Sequence, residues 1–416
     1  MKKKIAFGVA YGLCLVFAGR SMAQAVKVDG EIRTRSEYRS GFKTPLPDTI
    51  SSALVTTLRT KLNLSYSGDK VSARISLLDT RNYGSTNLSS TGSTLGVFEA
   101  WGAYAVTPEF SVKIGRQILE YDDKRMVSGS NWSNTPSSHD AALFTYEKKD
   151  FKAHLATEYN STAADELTVA EYKSAVPYKY MTFAWLAKTV SKVNATAMWV
   201  NNGFQRGTTY GLVDKLIFRN TIGTNLDYSD KDAQVSAYAS AYYQFGHDPD
   251  NKSLRAYLLA LRLKGNLSKT LALTLGTDYI SGSKYDIDSK KSRKFNKLFG
   301  ANHIFNGFIE YWATLPDRGL VDMFGGLTYT PNKKFNVDAT FHSFSFAQKY
   351  SAANPKKALG SELDLTAVYS VSPLFQLQGG WSHYFANDLS KSYKKVAGDV
   401  KSNWAYIMLT FKPKFL

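Results

Sequence analysis

Apolar and polar residues alternate at every second position along most of this chain. The stretch 26–42, VKVDGEIRTRSEYRSGF, is the strongest case: every second residue from Lys27 to Arg39 is charged, and none of the residues between them is. The same period recurs in the stretches 54–66, 71–77, 254–264, 271–279 and 360–371. A sustained period of two predicts β-strands with two chemically different faces, and no helical period competes with it.

The connections between these stretches alternate between short and long. The predicted short turns are 67–69, 107–109, 148–150, 191–192, 229–232, 265–269, 331–334 and 372–373. The predicted long loops are 43–52, 82–95, 119–137, 160–176, 201–215, 246–253, 282–319, 347–359 and 387–401. Short turns at one end and long loops at the other are typical of an outer-membrane β-barrel, whereas a soluble sandwich mixes loop lengths at both ends.

The turns also predict the number of strands. The hairpins, together with an opening strand at 26–41 and a closing strand at 402–412, give about 18 antiparallel strands, and a bacterial single-chain barrel closes with an even number. This count requires that the segment 304–314 belongs to a long loop and does not cross the membrane. The predicted fold is therefore an all-β transmembrane antiparallel barrel with short periplasmic turns and long extracellular loops.

The position of the charges decides the environment of this barrel. A dry interior could not hold charged residues on most strands, because burying even one unpaired charge costs several kcal/mol. We therefore expect the apolar face to contact lipid and the charged face to line a wet lumen, which about 18 strands leave open. Eight aromatic residues near strand ends are expected to form the girdles at the membrane surfaces. They are Tyr38, Tyr66, Tyr104, Tyr159, Tyr279, Tyr369, Trp381 and Trp404.

The first 23 residues have the features of a cleaved signal peptide. Lysines 2–4 precede a short apolar run, and the small residues of Ser21-Met22-Ala23 precede Gln24. The predicted organisation is thus a signal peptide at 1–23 and one barrel domain at 24–416. Cys14 lies in the leader, so the mature chain has no thiol chemistry. No mature segment is apolar for long enough to form a transmembrane helix.

The charge balance changes the expected partners. Without the four basic residues of the leader, 48 basic residues remain against 35 acidic ones, an excess of 13 positive charges. In an exported chain this excess favours anionic solutes or acidic polysaccharide over nucleic acid as partners. The other expected partners are outer-membrane lipid and the barrel-assembly machinery, since the closing strand is rich in aromatic residues and Phe415 is next to last.

The polar faces of the early strands supply the candidate pore lining. Two interpretations fit these residues: a ladder that guides anions, or ion pairs across the lumen that stiffen the barrel without selecting solutes. The positive excess favours the first. The predicted pore-lining residues are Glu31, Arg33, Arg35, Glu37, Arg39, Arg59, Lys61, Arg74 and Lys113.

The most distinctive stretch is 114–144, IGRQILEYDDKRMVSGSNWSNTPSSHDAALF. Its GRQ strand end (115–117), its DKR triplet (123–125), the segment GSNWSN (129–134) and the following Asp140 together resemble the alginate export family of outer-membrane proteins. A second segment, FNKLFGANHIFNGFIEYW (295–312), resembles family members from Bacteroides-like bacteria, and 342–344 and 359–365 fit the same pattern. The resemblance spans most of the mature chain.

The resemblance implies an 18-stranded barrel with an electropositive, arginine-rich constriction, narrowed by inward loops, that passes a polyuronate outward. Each residue carried over has an alternative role, which is to hold the loop in shape without touching solute. For Trp132 and Asn134 we favour that alternative, and for Arg116 and Arg125 we favour pore lining. The constriction-loop candidates are Arg116, Gln117, Asp123, Arg125, Trp132, Asn134 and Asp140.

These observations predict a passive, porin-like channel of the alginate-export type that needs no cofactor or metal. The alternatives are a general diffusion porin with little selectivity and a surface polysaccharide-binding or structural barrel with a plugged lumen. An enzyme is not expected, because the six histidines lack metal-binding spacing and no G-x-S-x-G motif occurs. The sequence leaves open whether the 282–319 loop fills the pore or lies over its rim.

Overall fold

The computed structural model describes residues 25–84, 95–160, 178–206, 215–229 and 234–416. The predicted signal peptide, and parts of the loops predicted at 82–95, 160–176 and 201–215 and of the turn at 229–232, lie outside the described residues. The barrel strands are β1 Ala25–Ser40, β2 Ala53–Ser67, β3 Val71–Asn82, β4 Gly96–Ala105, β5 Phe110–Gln117, β6 His139–Lys148, β7 Phe151–Tyr159, β8 Tyr180–Val190, β9 Val193–Arg206, β10 Lys215–Tyr228, β11 Val235–His247, β12 Ser253–Asn266, β13 Leu271–Ile280, β14 Leu320–Asn332, β15 Phe335–Ser345, β16 Ala358–Ser372, β17 Phe375–Ala386 and β18 Asn403–Phe411.

These strands form one closed barrel, which confirms the predicted fold. Each strand pairs antiparallel with the next, and β18 pairs with β1, so that Thr34 lies between Leu58 and Leu409. The segment 304–314 contains no strand and lies in a loop, as the strand count required. Closure pairs every strand on both sides, so that the lipid meets no free sheet edge.

Four smaller elements lie in the parts of the loops that the structure describes. The two-residue strands Leu46–Pro47 and Val400–Lys401 pair with each other, and Lys291–Ser292 pairs with the start of β12. The short helix α1, Asp388–Tyr393, begins with a capping box in which Asn387 and Ser390 bond each other's backbone N–H groups. No helix in the described part of the chain is long and apolar enough to span a bilayer.

The two faces of the barrel carry the chemistry that the alternation predicted. Apolar side chains such as Ile32, Leu62 and Leu259 are exposed on the outer face, while Arg33 and Arg59 are buried on the inner face. Seven of the eight expected girdle aromatics face outward; six of them are near strand ends, and Trp381 is in the middle of β17, paired with Ala405 as Tyr38 is. Trp404 is the exception: it is completely buried on the inner face, because it shares the parity of Tyr406 and Met408, and the girdle prediction was wrong for it.

The apolar core lies inside the barrel, because two long loops fold into it. We call the β5–β6 connection, 118–138, loop A and the β13–β14 connection, 281–319, loop B. Val127 of loop A and Ile309 and Trp312 of loop B are completely buried. They pack with inward side chains of the wall, such as Phe183 and Leu258, in one cluster. The part of the segment 282–319 from Phe295 to Leu315 thus packs inside the barrel, whereas 284–291 is mostly exposed.

Candidate functional site

Loops A and B meet and form one plug in the half of the lumen nearer the cell surface. The amide of Ser128 donates to the carbonyl of Phe299 at 3.0 Å, and the amide of Phe299 donates to the carbonyl of Met126 at 3.0 Å. The indole of Trp132 stacks on the imidazole of His303, with ring centres 3.9 Å apart and planes 3° apart. The two loops therefore form a joint structure, and a change in one is transmitted to the other.

Three arginines of β1 and β2 hold the tip of loop A. Arg33 donates to the carbonyls of Asn131, Trp132 and Ser133 at 2.8–3.0 Å and to the side-chain oxygen of Asn134 at 3.0 Å. Arg59 donates to the carbonyls of Asn131 and Ser133 at 2.9 and 2.8 Å, and Arg35 donates to that of Trp132 at 2.9 Å. A planar guanidinium with five donors suits this convergence of backbone oxygens.

Two glutamates of β1 keep these arginines in place. Glu31 is ion-paired with Arg59, and Glu37 is paired with both Arg35, at 2.7 Å, and Arg39. Arg33 is 5%, Arg35 6% and Arg59 1% exposed, so their charges are out of contact with solvent. In addition, the guanidinium of Arg35 lies 4.7 Å from the centre of the Trp132 ring. In this state Arg33, Arg35 and Arg59 of the predicted ladder bind the loop and do not line open water.

Arg125 fastens the middle of loop A to a different part of the wall. Its guanidinium is 2% exposed and pairs with Asp278 of β13 at 2.6 Å and with Asp123 at 3.2 Å. It also lies 4.0 Å from the ring centre of Phe305 in loop B. Burial alone would lower the pKa of Arg125, but the two carboxylates outweigh burial and raise this pKa above its ordinary value. One charged group therefore links loop A, loop B and the wall.

The tip of loop B is held by carboxylates. Glu362 of β16 accepts from the amide of Ile309 at 2.8 Å, and Asp364 accepts from the amide of Phe308 at 3.2 Å. Gly307 has a φ of +83°, and a Cβ at this position would lie 2.5 Å from the Glu362 carboxylate. Loop A thus presents carbonyls to cations, whereas loop B presents N–H groups to anions.

The carboxylates around loop B belong to an acidic sector of the inner wall on β13–β16. Next to Glu362 and Asp364, the imidazole of His342 lies 2.9 Å from Asp322 and 3.6 Å from Asp364. The sequence pattern placed Asp278, Glu362 and Asp364 on polar strand faces, but it gave no sign that they converge. Within the described residues, no group of three or more His, Cys, Asp or Glu side chains is arranged to hold a metal ion.

Below the plug, toward the short turns, the first five strands carry a second set of basic residues. Arg74 pairs with Glu99 at 2.9 Å, while the ammonium groups of Lys61 and Lys113 lie over the rings of Phe98 and Trp101 at 5.9 and 4.8 Å. Neither lysine pairs with a carboxylate within 4.0 Å among the residues that the structure describes. We call the inner face with Arg33, Arg35, Arg39, Arg59, Lys61, Arg74 and Lys113 the basic wall.

Two constriction candidates lie outside the lumen. Arg116 and Asp140 are cross-strand partners that pair at 2.6 Å on the outer face, with side chains 45% and 53% exposed. Their placement in the constriction was wrong, because neighbouring residues of a strand point to opposite faces and Gln117 takes the inward position. Gln117 is completely buried and donates to the carbonyl of Ala141 at 2.9 Å, which fixes the strand end where loop A begins.

Lys297 of loop B is the least favourably placed charge in the plug. Its Nζ is buried and has no hydrogen-bond partner in the described part of the chain. Burial, together with the positive charge of Arg125, lowers the pKa of Lys297 to about 8. An exposed lysine has a pKa of about 10.4, so the packed loops hold this proton more weakly than loops released into water.

Raising the pH should therefore stabilise the packed loops. Below pH ~8 the charge on Lys297 destabilises the packed loops by its full amount. This destabilisation is lost as the pH rises toward ~10.5, so the packed loops become about 2 kcal/mol more stable, relative to released loops, between pH 7 and 9.5. We expect wild-type conductance in a planar bilayer to fall over this range. Lys297→Met should conduct weakly at both pH values, whereas Lys284→Met, at an exposed site of loop B, should behave like wild type. A full pH response in Lys297→Met would contradict this assignment.

Comparisons with known proteins agree with this architecture. A family model described as alginate export matches residues 24–399. OccAB4 of Acinetobacter baumannii is 12% identical over 95% of this chain and 100% of its own, with a TM-score of 0.64. OccK5 of Pseudomonas aeruginosa is 10% identical over 94% and 98%, with a TM-score of 0.62. The outer membrane protein opdK of P. aeruginosa is 11% identical over 94% and 99%, also with a TM-score of 0.62.

At these identities the solved structures show a common fold only. A search of curated protein sequences finds no match. The family model, however, covers most of the chain, and the structural matches are outer-membrane porins. The protein therefore belongs to the alginate export family and is a porin-like β-barrel of the Gram-negative outer membrane.

Proposed function

We propose that this protein is a passive channel that prefers anions and conducts anionic solutes or acidic polysaccharide along its basic wall. The single observation that supports this most strongly is the vertical arrangement of that wall. Arg33 and Arg59 are paired in register near the plug, and Lys61, Arg74 and Lys113 follow toward the periplasmic end. Glu31, Glu37 and Glu99 are each paired with arginines, which leaves a positive excess on this face.

In this proposal the plug and the solute compete for the same arginines. The loop carbonyls carry only partial negative charge, whereas a carboxylate of the solute carries a full one and forms stronger, charge-assisted hydrogen bonds with a guanidinium. An arriving carboxylate can therefore replace loop A on Arg33 and Arg35 when the loop shifts. Lys61 and Lys113 then provide the next positive charges along the path.

Reversal potentials across a planar bilayer with a KCl gradient test the proposal. Wild type should prefer chloride, and Lys61→Gln with Lys113→Gln should reduce that preference at least twofold without opening the plug, because neither lysine contacts loops A or B in the described chain. Lys188→Gln is the matched control, since this lysine is exposed on the outer face at the periplasmic end. A cation-preferring wild type, or a preference unchanged in the double variant, would refute anion guidance.

A second candidate function has specific support in the packing of the plug. Loops A and B form an apolar core with the wall, which also suits a barrel that stays closed and binds polysaccharide at the surface. The same bilayer experiment separates the two functions. No conductance under any voltage or pH, together with retention on an acidic polysaccharide column, would favour the closed, binding barrel.

A further inference from the structure

A cavity lies between loop B and the inner wall of strands β12–β16. Its volume is about 390 Å³. It extends from Asp278, Asp322 and Asp364, next to the plug, down to Thr328 and Asp338 near the periplasmic end. It lies apart from the basic wall, and the anion path proposed above does not use it.

Negative charge dominates the lining of this cavity. Asp322 and Asp364 are each 1% exposed, and the imidazole of His342 lies next to both of them. Arg125 offsets Asp278 and Asp123, while Arg262 lies lower, 5.9 Å from the ring centre of Phe324. The carboxylates that line the cavity are those of Asp123, Asp278, Asp322, Asp338 and Asp364.

Unsatisfied polar atoms at the same place point to a ligand. Asn306 lines the cavity and is 1% exposed, yet neither its amide nitrogen nor its amide oxygen has a hydrogen-bond partner in the described chain. Buried amides and carboxylates are almost always hydrogen-bonded, so a partner with both donors and acceptors is expected here.

Aromatic rings complete the lining. Phe305 and Phe308 of loop B and Phe324 of β14 border the same space. An ammonium group is attracted to the face of such rings, and the apolar face of a sugar packs against them. Carboxylates alone would suit any cation. The amide of Asn306 can in addition bind a hydroxyl group, which both donates and accepts hydrogen bonds.

We propose that this cavity binds a small hydroxylated organic cation, of which an amino sugar is the simplest example. The ammonium group donates to Asp364 and Asp322, a ring hydroxyl exchanges hydrogen bonds with the amide of Asn306, and the apolar face of the sugar lies against the phenylalanines. The site adds a cation-selective position to a lumen whose other sector is basic.

Calorimetric titration of the full-length protein in detergent with D-glucosamine tests this proposal. Glucosamine should bind at least tenfold more tightly than glucose, which lacks the ammonium group, and than N-acetylglucosamine, whose nitrogen is uncharged. Asp364→Asn and Asn306→Gly should each weaken glucosamine at least tenfold; glycine suits the φ of +61° at residue 306. Asp388→Asn, at a 99% exposed side chain, should bind like wild type.

The outcomes are separable from those of the conductance test, because binding in detergent requires neither an open plug nor anion preference. Heat-dependent migration in gel electrophoresis reports whether each variant has formed its barrel, and Asn306→Gly tests the site without changing its charge. Equal binding of glucose and glucosamine would overturn the proposal. So would glucosamine binding that neither variant weakens, or binding of calcium ion in place of glucosamine.

Discussion

Channels in which Arg33 and Arg59 are both replaced by glutamine should conduct several-fold more current than wild type. Together these arginines satisfy the carbonyls at the tip of loop A, and a buried carbonyl without a donor costs about 1–3 kcal/mol. Removing both guanidinium groups also leaves Glu31 buried without its partner. The packed position of loop A should therefore lose about 3–5 kcal/mol, which favours the released loop.

Single-channel recording measures the rise in conductance, and amide hydrogen exchange measures the release of loop A. The amides of Ser133 and Ser137, which are hydrogen-bonded within loop A, should lose protection together with the rise in conductance. Arg74→Gln is the matched control, because Arg74 belongs to the same wall and pairs with Glu99 and Ser65 and not with the loop. If the double variant kept wild-type conductance and full protection, these arginines would not be what holds the plug.

Replacing Arg125 with methionine should loosen both loops at once. The substitution keeps much of the side-chain volume but leaves the carboxylates of Asp278 and Asp123 buried without their cation. Removing one partner of a buried pair costs about 3–5 kcal/mol, because the remaining charge stays out of water. We expect thermal unfolding of the plug at lower temperature, and protection of loop B amides such as Phe299 and Ala301 should fall although the substitution is in loop A.

A double variant tests whether an unpaired buried carboxylate causes the loss of stability in Arg125→Met. Adding Asp278→Asn to Arg125→Met removes one of the two stranded charges, so the double variant should recover part of the stability that the single variant loses. Lys124→Met is the control, since Lys124 precedes Arg125 in the chain, is exposed, and within the described residues pairs with Glu120, at 2.8 Å. Equal stability of Arg125→Met and Lys124→Met would show that the buried ion pair is not needed.

Much of this architecture could be predicted from the alternation of residues alone. A period of two fixes which side chains share a face, and strands that follow each other in the chain are neighbours in such a barrel, so Arg33, Arg59 and Lys61 were expected on one inner wall, where the structure places them. The distinctive segment 114–144 was also correctly expected to hold an inward loop. Its Trp132 stacks on His303, Asn134 accepts from Arg33 and Asp123 pairs with Arg125. That Trp132 and Asn134 hold the loop in shape, the role favoured for them, stays a prediction.

The remaining features are contacts between residues that are far apart in the sequence, and no local pattern encodes such contacts. Asp278 meets Arg125 across 153 residues, and the loop B amides meet Glu362 across 53. One signal was available: on β12, the inner residues Leu254, Ala256, Leu258 and Ala260 are all apolar, although the outer residues from Tyr257 to Leu261 are apolar as well. A wet lumen does not need apolar inner residues, so Leu254 and Leu258 indicated that something apolar fills this half of the barrel.

Arg116 and Asp140 were misplaced for a simpler reason, since motif position does not specify which face a residue takes.

The way the wall holds the plug has a consequence for how this sequence can vary. Many contacts at the tips of loops A and B use backbone carbonyls, which every residue provides, and backbone N–H groups, which only proline lacks, so the identity of Ser133 matters little to the contacts of its carbonyl. The wall residues have no such freedom, since only a guanidinium or a carboxylate can fill the roles of Arg59 and Glu362. Related channels can therefore exchange loop-tip side chains, and with them the surface offered to solute, while the charges that close the pore stay the same.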